Sequence, residues 1–219
     1  MTNGYSVGSE GSRRKAGLRD SDIRTELERL LRSIHLDDTL FRHELGLCSG
    51  KRRIDLALVN GELSGYEIKS DEDTLHRLAG QAAEYGRVLD RAFLVTTQRH
   101  LHTALRQLPD WWGVLVASSN RGRVEINVAR EEKVNRTHDP LALAQLLWRE
   151  EALDELRLRG KSHGLLKKAR YYIWVALTEA VEITELRQIV RDRLKARRDW
   201  PGGQPCAPDD AMYCKPTTQ

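Results

Sequence analysis

The sequence has few cysteines and no long hydrophobic run, which argues against a disulfide-stabilised fold and against a membrane-spanning helix. Its three cysteines, Cys48, Cys206 and Cys214, are odd in number and far apart, which argues against a disulfide framework. No His or Cys cluster completes four zinc ligands around them, so we expect no structural zinc. No stretch of about 18 apolar residues exists to span a membrane, and the N-terminus lacks an apolar run of signal-peptide length. We therefore expect a cytoplasmic protein with no membrane partner.

Charge is nearly balanced over the whole chain but not along it. A formal net charge of +4 over 219 residues is too small to indicate a nucleic-acid partner by itself. Between Arg157 and Asp199, however, twelve Lys or Arg residues stand against five Asp or Glu, so this part of the chain is locally basic. Hydrophobic residues make up 40% of the chain, which is enough to bury the core of one globular domain.

Composition and periodicity divide the chain into four segments. Residues 1–19 predict a flexible basic arm, and the Pro/Gly-rich residues 200–219 predict a flexible tail. Strand and helix patterns are intermixed over 20–130, whereas residues 140–199 show helical patterns alone, which predicts an α/β core with a helical C-terminal extension. The predicted elements are a helix over 21–34, strands at 39–45, 53–59 and 63–70, a helix over 74–89, a strand at 92–96, a helix over 98–108, strands at 112–117 and 124–128, and helical stretches near 140–158, 164–180 and 184–198.

The second and third predicted strands form a hairpin at Asn60-Gly61. Because strand side chains alternate between faces, Ile54, Leu56 and Leu58 are predicted to share a face with Tyr66 and Ile68. Matching apolar face to apolar face then places Asp55, Glu67 and Lys69 together on the other side of the sheet. A two-residue turn would instead pair Asp55 with Tyr66. The apolar pattern therefore predicts a three-residue loop or a bulge.

Two carboxylates and an ammonium group on one small area predict a site for a hard divalent cation. Asp55 and Glu67 can hold Mg²⁺ (or Mn²⁺) at about 2.0–2.1 Å, and the backbone carbonyl of Ile68 can add an oxygen. Such a metal lowers the pKa of a bound water and shields the charge on a scissile phosphate, while Lys69 positions the water or stabilises the transition state. The alternative is a solvated Glu-Lys ion pair, which is common and stabilises little. The preceding Asp at hairpin distance favours the metal site.

The segments Arg53-Ile54-Asp55-Leu56-Ala57 and Gly65-Tyr66-Glu67-Ile68-Lys69-Ser70 resemble the D…(D/E)-x-K signature of the PD-(D/E)XK nuclease superfamily, although Ile54 replaces the expected Pro. Gln81-Ala82-Ala83-Glu84-Tyr85 is similar to the Q-x-x-x-Y motif of RecB-type members. The stretch 39–117 also resembles a little-characterised bacterial family assigned to that superfamily. The resemblance implies a restriction-endonuclease-like αβββαβ core, with Gln81 and Tyr85 shaping the site. It also implies a further acidic ligand, for which Glu44 is the first candidate and Glu26 the second.

These patterns favour a Mg²⁺-dependent endo- or exonuclease that acts on DNA. Roles in DNA repair, restriction or phage defence are all compatible with it, as is assembly as a homodimer or within a larger repair or defence complex. The basic C-terminal helix would contact the phosphate backbone, through Arg187, Arg191, Lys195 and Arg198. The alternative is a non-catalytic nuclease-like module that binds DNA or protein. The full Asp/Glu/Lys set favours the enzyme, because binding alone does not require all three.

Overall fold

The computed structural model describes residues 17–47, 50 and 52–197, which form a six-stranded mixed sheet flanked by helices. The strands are β1 (Leu40–Leu47), β2 (Arg52–Asn60), β3 (Glu62–Lys69), β4 (Arg91–Thr97), β5 (Gly113–Asn120) and β6 (Arg123–Arg130). The helices are α1 (Asp20–Ile34), α2 (Leu78–Tyr85), α3 (Gln98–Gln107), α4 (Pro140–Ala144), α5 (Arg149–Leu158), α6 (Arg170–Ala180) and α7 (Ile183–Ala196). The predicted α/β class is confirmed.

The strands lie in the sheet in the same order as in the chain. The first three form an antiparallel meander, and β6 is antiparallel to β5. Between them β3, β4 and β5 are parallel, which requires the crossover helices α2 and α3. The first six elements therefore follow the predicted order of helix, three strands, helix and strand.

Each face of the sheet has its own hydrophobic core. Helix α1 covers one face with Ile23, Leu27 and Leu31, whose spacing places them on one side of the helix. The opposite face carries α2, α3 and the four C-terminal helices, whose apolar residues join the side chains of the sheet in one continuous cluster. The predicted helical extension is therefore a layer of the main core.

Several predicted helix boundaries differ from the structure. The stretch predicted at 140–158 is two helices, because Trp148 has extended backbone and begins α5. Helix α6 starts at Arg170 and not at residue 164, since Gly164 has a φ of +74°, which is incompatible with a right-handed helix. Helix α2 starts later than predicted because Asp73 instead accepts hydrogen bonds from the backbone and hydroxyl of Ser70, closing a turn.

The end of the predicted flexible arm is part of the folded structure. Leu18 is only 9% exposed, and its N–H donates to the Asp71 carboxylate while its carbonyl accepts from the Asp71 N–H. Residues 1–16 and the predicted tail at 200–219 lie outside the described residues. None of the helices in the described part of the chain has the length and apolar character needed to cross a bilayer.

Candidate functional site

The β2–β3 hairpin has the register that the apolar pattern predicts. Val59 pairs with Leu63 and Leu56 with Tyr66, so the connection spans three residues. Gly61 lies at its tip with a φ of +70°, a conformation that glycine adopts without strain. The two-residue turn is excluded, and the loop prediction is confirmed.

Asp55 lies at an irregularity that β1 and β2 share. Regular pairing joins His43 to Leu56 and Leu45 to Ile54 but passes over Glu44 and Asp55 between them, and Glu44 has a φ of +50°. Ile54 packs with the core on the α2 side of the sheet, whereas Leu56 packs under α1. The prediction that Ile54 shares a face with Leu56 and Leu58 is therefore wrong, because one extra residue in each strand reverses the alternation.

The Asp55 carboxylate takes the place of a backbone partner where the β2–β3 ladder ends. Its Oδ2 accepts a hydrogen bond of 2.7 Å from the backbone N–H of Ile68. On the other side, Arg24 of α1 donates to the Asp55 carbonyl at 3.0 Å and holds its Nη2 at 3.5 Å from Oδ1. Asp55 is thus fixed between α1 and β3, with about a fifth of its side chain exposed (21%).

Glu67 is buried beside Asp55 and collects three side-chain partners. Its side chain is 2% exposed, and its Oε1 accepts from Lys69 Nζ at 2.6 Å and from Gln81 Nε2 at 2.5 Å. Its Oε2 lies 2.9 Å from the Tyr85 hydroxyl. Gln81 and Tyr85 are one helical turn apart on α2, so both reach the same carboxylate. The structure therefore gathers Lys69, Gln81 and Tyr85 around Glu67.

Two polar atoms at Glu67 lack a matching donor or acceptor. The Tyr85 hydroxyl has one hydrogen but faces two acceptors, Glu67 Oε2 and the Arg53 carbonyl at 2.6 Å. The buried Oε1 of Gln81 has no hydrogen-bond partner among the described residues. A protonated Glu67 would satisfy the first mismatch, since its own hydrogen could be donated to the tyrosine oxygen.

Burial raises the affinity of both carboxylates for protons. Burial raises the pKa of Glu67 above its usual 4.5, and the nearby charge of Asp55 adds to this effect. Burial likewise raises the pKa of Asp55, although the Ile68 N–H and Arg24 oppose it. A cation placed at both carboxylates would relieve the repulsion and the cost of burial together.

The two candidates for an additional acidic ligand lie in different places. Glu44 is exposed and stands opposite Asp55 on β1, close enough to help raise the pKa of Arg24. Glu26 instead forms an ion pair with Arg29 at 2.6 Å and lines a cleft with the β5–β6 turn. Within the described residues, no group of three Asp, Glu, His or Cys side chains is already gathered as a metal site. Proximity therefore favours Glu44 over Glu26.

Comparison with known proteins identifies the family to which the chain belongs. Residues 14–199 match the family described as Bacteriophage P4 protein cII. The chain belongs to this family. Protein cII of Enterobacteria phage P4 is 27% identical over 144 residues, which cover 65% of this chain and 54% of that protein, so the match spans about half the length of the relative. The solved structure of SPO1766, a protein of unknown function from Silicibacter pomeroyi, is 18% identical and has a TM-score of 0.39. The match covers 67% of this chain and 96% of SPO1766, and this likeness is too distant to assign a fold.

Arg24 is the residue of this cII-family site that sequence reasoning missed. Besides Asp55, its guanidinium contacts Asp20 at 3.1 Å in an i,i+4 pair on α1. The available signal was position, because Arg24 lies between the buried Ile23 and Leu27 and so follows the edge of the face packed on the sheet. Its charge opposes the rise that burial causes in the pKa of Asp55, and its hydrogen bond to the Asp55 carbonyl makes it a positioning residue.

The cations predicted to contact nucleic acid on α7 of the cII-family chain have partners inside the protein. Buried Asp90 lies 2.8 Å from Arg187 Nε, 3.4 Å from Arg191 Nη1 and 3.0 Å from His138 Nε2, and it also accepts from the Leu63 N–H. Lys195 pairs with Asp38 at 2.9 Å, and Arg198 lies outside the described residues. These ion pairs attach α7 to the sheet, and nucleic-acid contact by this helix stays a prediction.

Proposed function

We propose that this cII-family protein is a metal-dependent nuclease of the PD-(D/E)XK type, with a restriction-endonuclease-like core, that hydrolyses DNA phosphodiester bonds with Mg²⁺ or Mn²⁺. One observation carries the proposal. Lys69, Gln81 and Tyr85 meet around the buried Glu67 carboxylate. Asp55, from the neighbouring strand, accepts a hydrogen bond from the next residue, Ile68, and its charge acts on Glu67. Isolated surface ion pairs do not require such convergence, and they seldom bury a glutamate at 2% exposure.

The donor set fits a hard divalent cation. Carboxylate and carbonyl oxygens are the ligands that Mg²⁺ prefers, and Asp55, Glu67 and the backbone of Ile68 supply them side by side. Both carboxylates have raised pKa values through burial, which a bound cation would offset. The unpartnered Gln81 Oε1 is an acceptor suited to a water held at the same place.

Asp55 and Glu67 would hold the metal, and the Ile68 carbonyl and Glu44 would supply further oxygens. When bound, the metal supplies a water of lowered pKa and shields the phosphate charge. Tyr85 and Gln81 orient Glu67 through its two oxygens and keep the carboxylate in one rotamer. Arg24 and the Ile68 N–H do the same for Asp55.

Lys69 is the group placed to act on the phosphate. Its ammonium donates one hydrogen to Glu67, and its other two have no partner among the described residues. The side chain is 13% exposed, so a phosphate oxygen or an attacking water can reach it. In the hydrolysis a water oxygen adds to phosphorus, the bond to the leaving oxygen breaks, and the water proton passes to that oxygen. Lys69 would stabilise the charge that develops during this exchange.

The proposal is tested by incubating the purified protein with single-stranded, duplex and branched DNA in Mg²⁺, Mn²⁺ or EDTA. We expect metal-dependent cleavage that falls by at least about a hundredfold in Asp55→Ala and in Lys69→Ala, as for loss of a main electrostatic group. Asp110→Ala and Lys133→Ala remove the same charges from exposed positions and should cleave like the wild type. Cleavage that persists in EDTA or in the Asp55 variant would refute the proposal.

The non-catalytic DNA- or protein-binding module remains the competing proposal, and one observation favours it. Lys69 and Arg24 already pair with the two carboxylates, which is how a purely structural ion network is built. The same assay separates the two. Tight DNA binding without cleavage under every metal condition supports the binding module, and cleavage lost with Lys69 supports the enzyme.

A further inference from the structure

The segment between α5 and α6, residues 159–169, here called the basic loop, has an unusual charge pattern. No Asp or Glu occurs from Leu156 to Thr178, while this stretch holds six Lys or Arg residues. Lys161, Lys167 and Lys168 are all exposed. An exposed run of one sign produces a local potential that attracts polyanions.

The lysines of the basic loop differ from nearby arginines of the basic C-terminal part, which form ion pairs with carboxylates. Arg157 pairs with Asp154 at 2.6 Å, and Arg159 with Glu155 at 2.8 Å. No side-chain hydrogen bond or ion pair joins the three loop lysines to any residue that the structure describes. Within the described residues the arginines of α7 are paired with carboxylates, whereas the three lysines of the basic loop are available to an external partner.

The backbone of the basic loop is held in one conformation by hydrogen bonds. Gly160 has a φ of +67° and ends α5, where the Lys161 N–H returns to the Leu156 carbonyl at 2.8 Å. Further along, the guanidinium of Arg149 donates to the Leu166 carbonyl at 2.5 Å. The lysines are thus displayed from an ordered backbone, which lowers the entropy lost on binding.

An exposed aromatic ring stands beside these cations. Tyr172, in the first turn of α6, is 48% exposed, and the Lys168 ammonium lies 5.8 Å from its ring centroid. Exposed tyrosines flanked by lysines can stack on unpaired bases while the ammonium groups contact phosphates. A membrane would instead require a broad exposed apolar face. Here Leu158 and Leu166 are exposed, but the apolar residues Ile173, Trp174 and Leu177 of α6 are buried.

We propose that the basic loop binds the phosphate backbone of single-stranded nucleic acid, with Tyr172 stacking on a base. The choice of DNA as the natural partner rests on the proposed function, but binding requires neither the metal nor catalysis. It is therefore measured in EDTA, by the fluorescence anisotropy of labelled single-stranded DNA, duplex DNA and RNA over a range of salt. Phosphatidylserine vesicles serve as the non-nucleic polyanion.

The main variant is the triple Lys161→Gln/Lys167→Gln/Lys168→Gln. We expect its affinity for single-stranded DNA to fall at least about tenfold at about 100 mM NaCl, and the slope of log K against log salt to decrease by about 2, since each lost phosphate contact contributes about 0.7. The matched control is Arg29→Gln/Arg106→Gln/Arg123→Gln, which removes the same charge from exposed positions elsewhere and should lose no more than about threefold.

Tyr172 gives an independent measurement. Tyr172→Ala should weaken single-stranded binding about tenfold and duplex binding less, while Tyr172→Phe should bind like the wild type. Equal losses in the two triple variants, no nucleic-acid binding by the wild type in EDTA, or tighter binding to vesicles would each overturn the inference. If the protein cleaves no DNA but its binding still depends on the basic loop, only the nuclease proposal is contradicted. If the triple lysine variant still cleaves DNA and binds it with unchanged affinity, only the basic-loop proposal is contradicted.

Discussion

Replacing Tyr85 by Phe isolates the contribution of one hydroxyl to both the stability and the chemistry of the site. Tyr85 is fully buried, and its hydroxyl is shared between the Arg53 carbonyl at 2.6 Å and Glu67 Oε2 at 2.9 Å. Phe keeps the ring but leaves both acceptors without this donor. Since one buried hydrogen bond contributes about 1 kcal/mol and one to a charged group about 1.5–3, we expect a loss of about 2 kcal/mol in the free energy of unfolding.

The loss should appear as a decrease in melting temperature of about 4–8 °C for a chain of this size. Tyr172→Phe is the control, because its ring is exposed and its hydroxyl contributes little. A second consequence has a definite sign. The Tyr85 hydrogen bond lowers the pKa of Glu67, so its removal raises that pKa further, and the pH at which Mn²⁺ binding is half-maximal should increase. Unchanged stability, or a shift of Mn²⁺ binding to lower pH, would refute this account of the hydroxyl.

Two further substitutions test the packing and the internal charges. Gly65→Ala places a Cβ in contact with Ile54 and 2.5 Å from Leu89 Cδ1, so thermal unfolding should show a loss of about 1–3 kcal/mol. Gly80→Ala, whose Cβ would meet only the Arg52 guanidinium at an ordinary contact distance of 3.8 Å, should lose nothing. Asp90→Ala leaves partly buried arginines without a counter-ion and should cost about 3–5 kcal/mol. Burial raises the pKa of Asp90, but hydrogen bonds outweigh burial and hold this pKa below 3.8. The contribution of ionised Asp90 to the free energy of unfolding is therefore present above about pH 4 and lost as the pH falls below that value. Acid titrations in which Asp90→Asn loses stability as steeply as the wild type would contradict this.

The hairpin shows both the strength and the limit of sequence reasoning. Period-two alternation of Leu56, Leu58, Tyr66 and Ile68 is a local property, so the register and the three-residue loop could be predicted. The extra residue at Asp55 could not, because Glu44 compensates for it on the neighbouring strand and the pairing register is unchanged across it. Such a paired insertion can be recognised only from the way β2 pairs with β3 in the folded structure.

The charges of the basic C-terminal part show a second limit of prediction from the sequence. Counting charges along the chain gave the arginines of α7 and the lysines of the basic loop equal weight, although the first face buried carboxylates and the second face solvent. Asp90 lies almost one hundred residues before Arg187 in the chain, so no local pattern connects them. The net charge of a segment is a sequence property, whereas the charge available to a partner is a property of the tertiary structure.

The position of Asp90 has a consequence for how the molecule opens. This single carboxylate contacts β3, the segment before α4, and α7, so it links regions that are distant in sequence. Detaching α7 would remove both arginine partners of the Asp90 carboxylate and would also uncover the apolar face of the sheet. Hydrogen exchange at the central strands and in α7 should therefore proceed through one shared opening reaction, and the C-terminal helices unfold together with the sheet as a single cooperative unit.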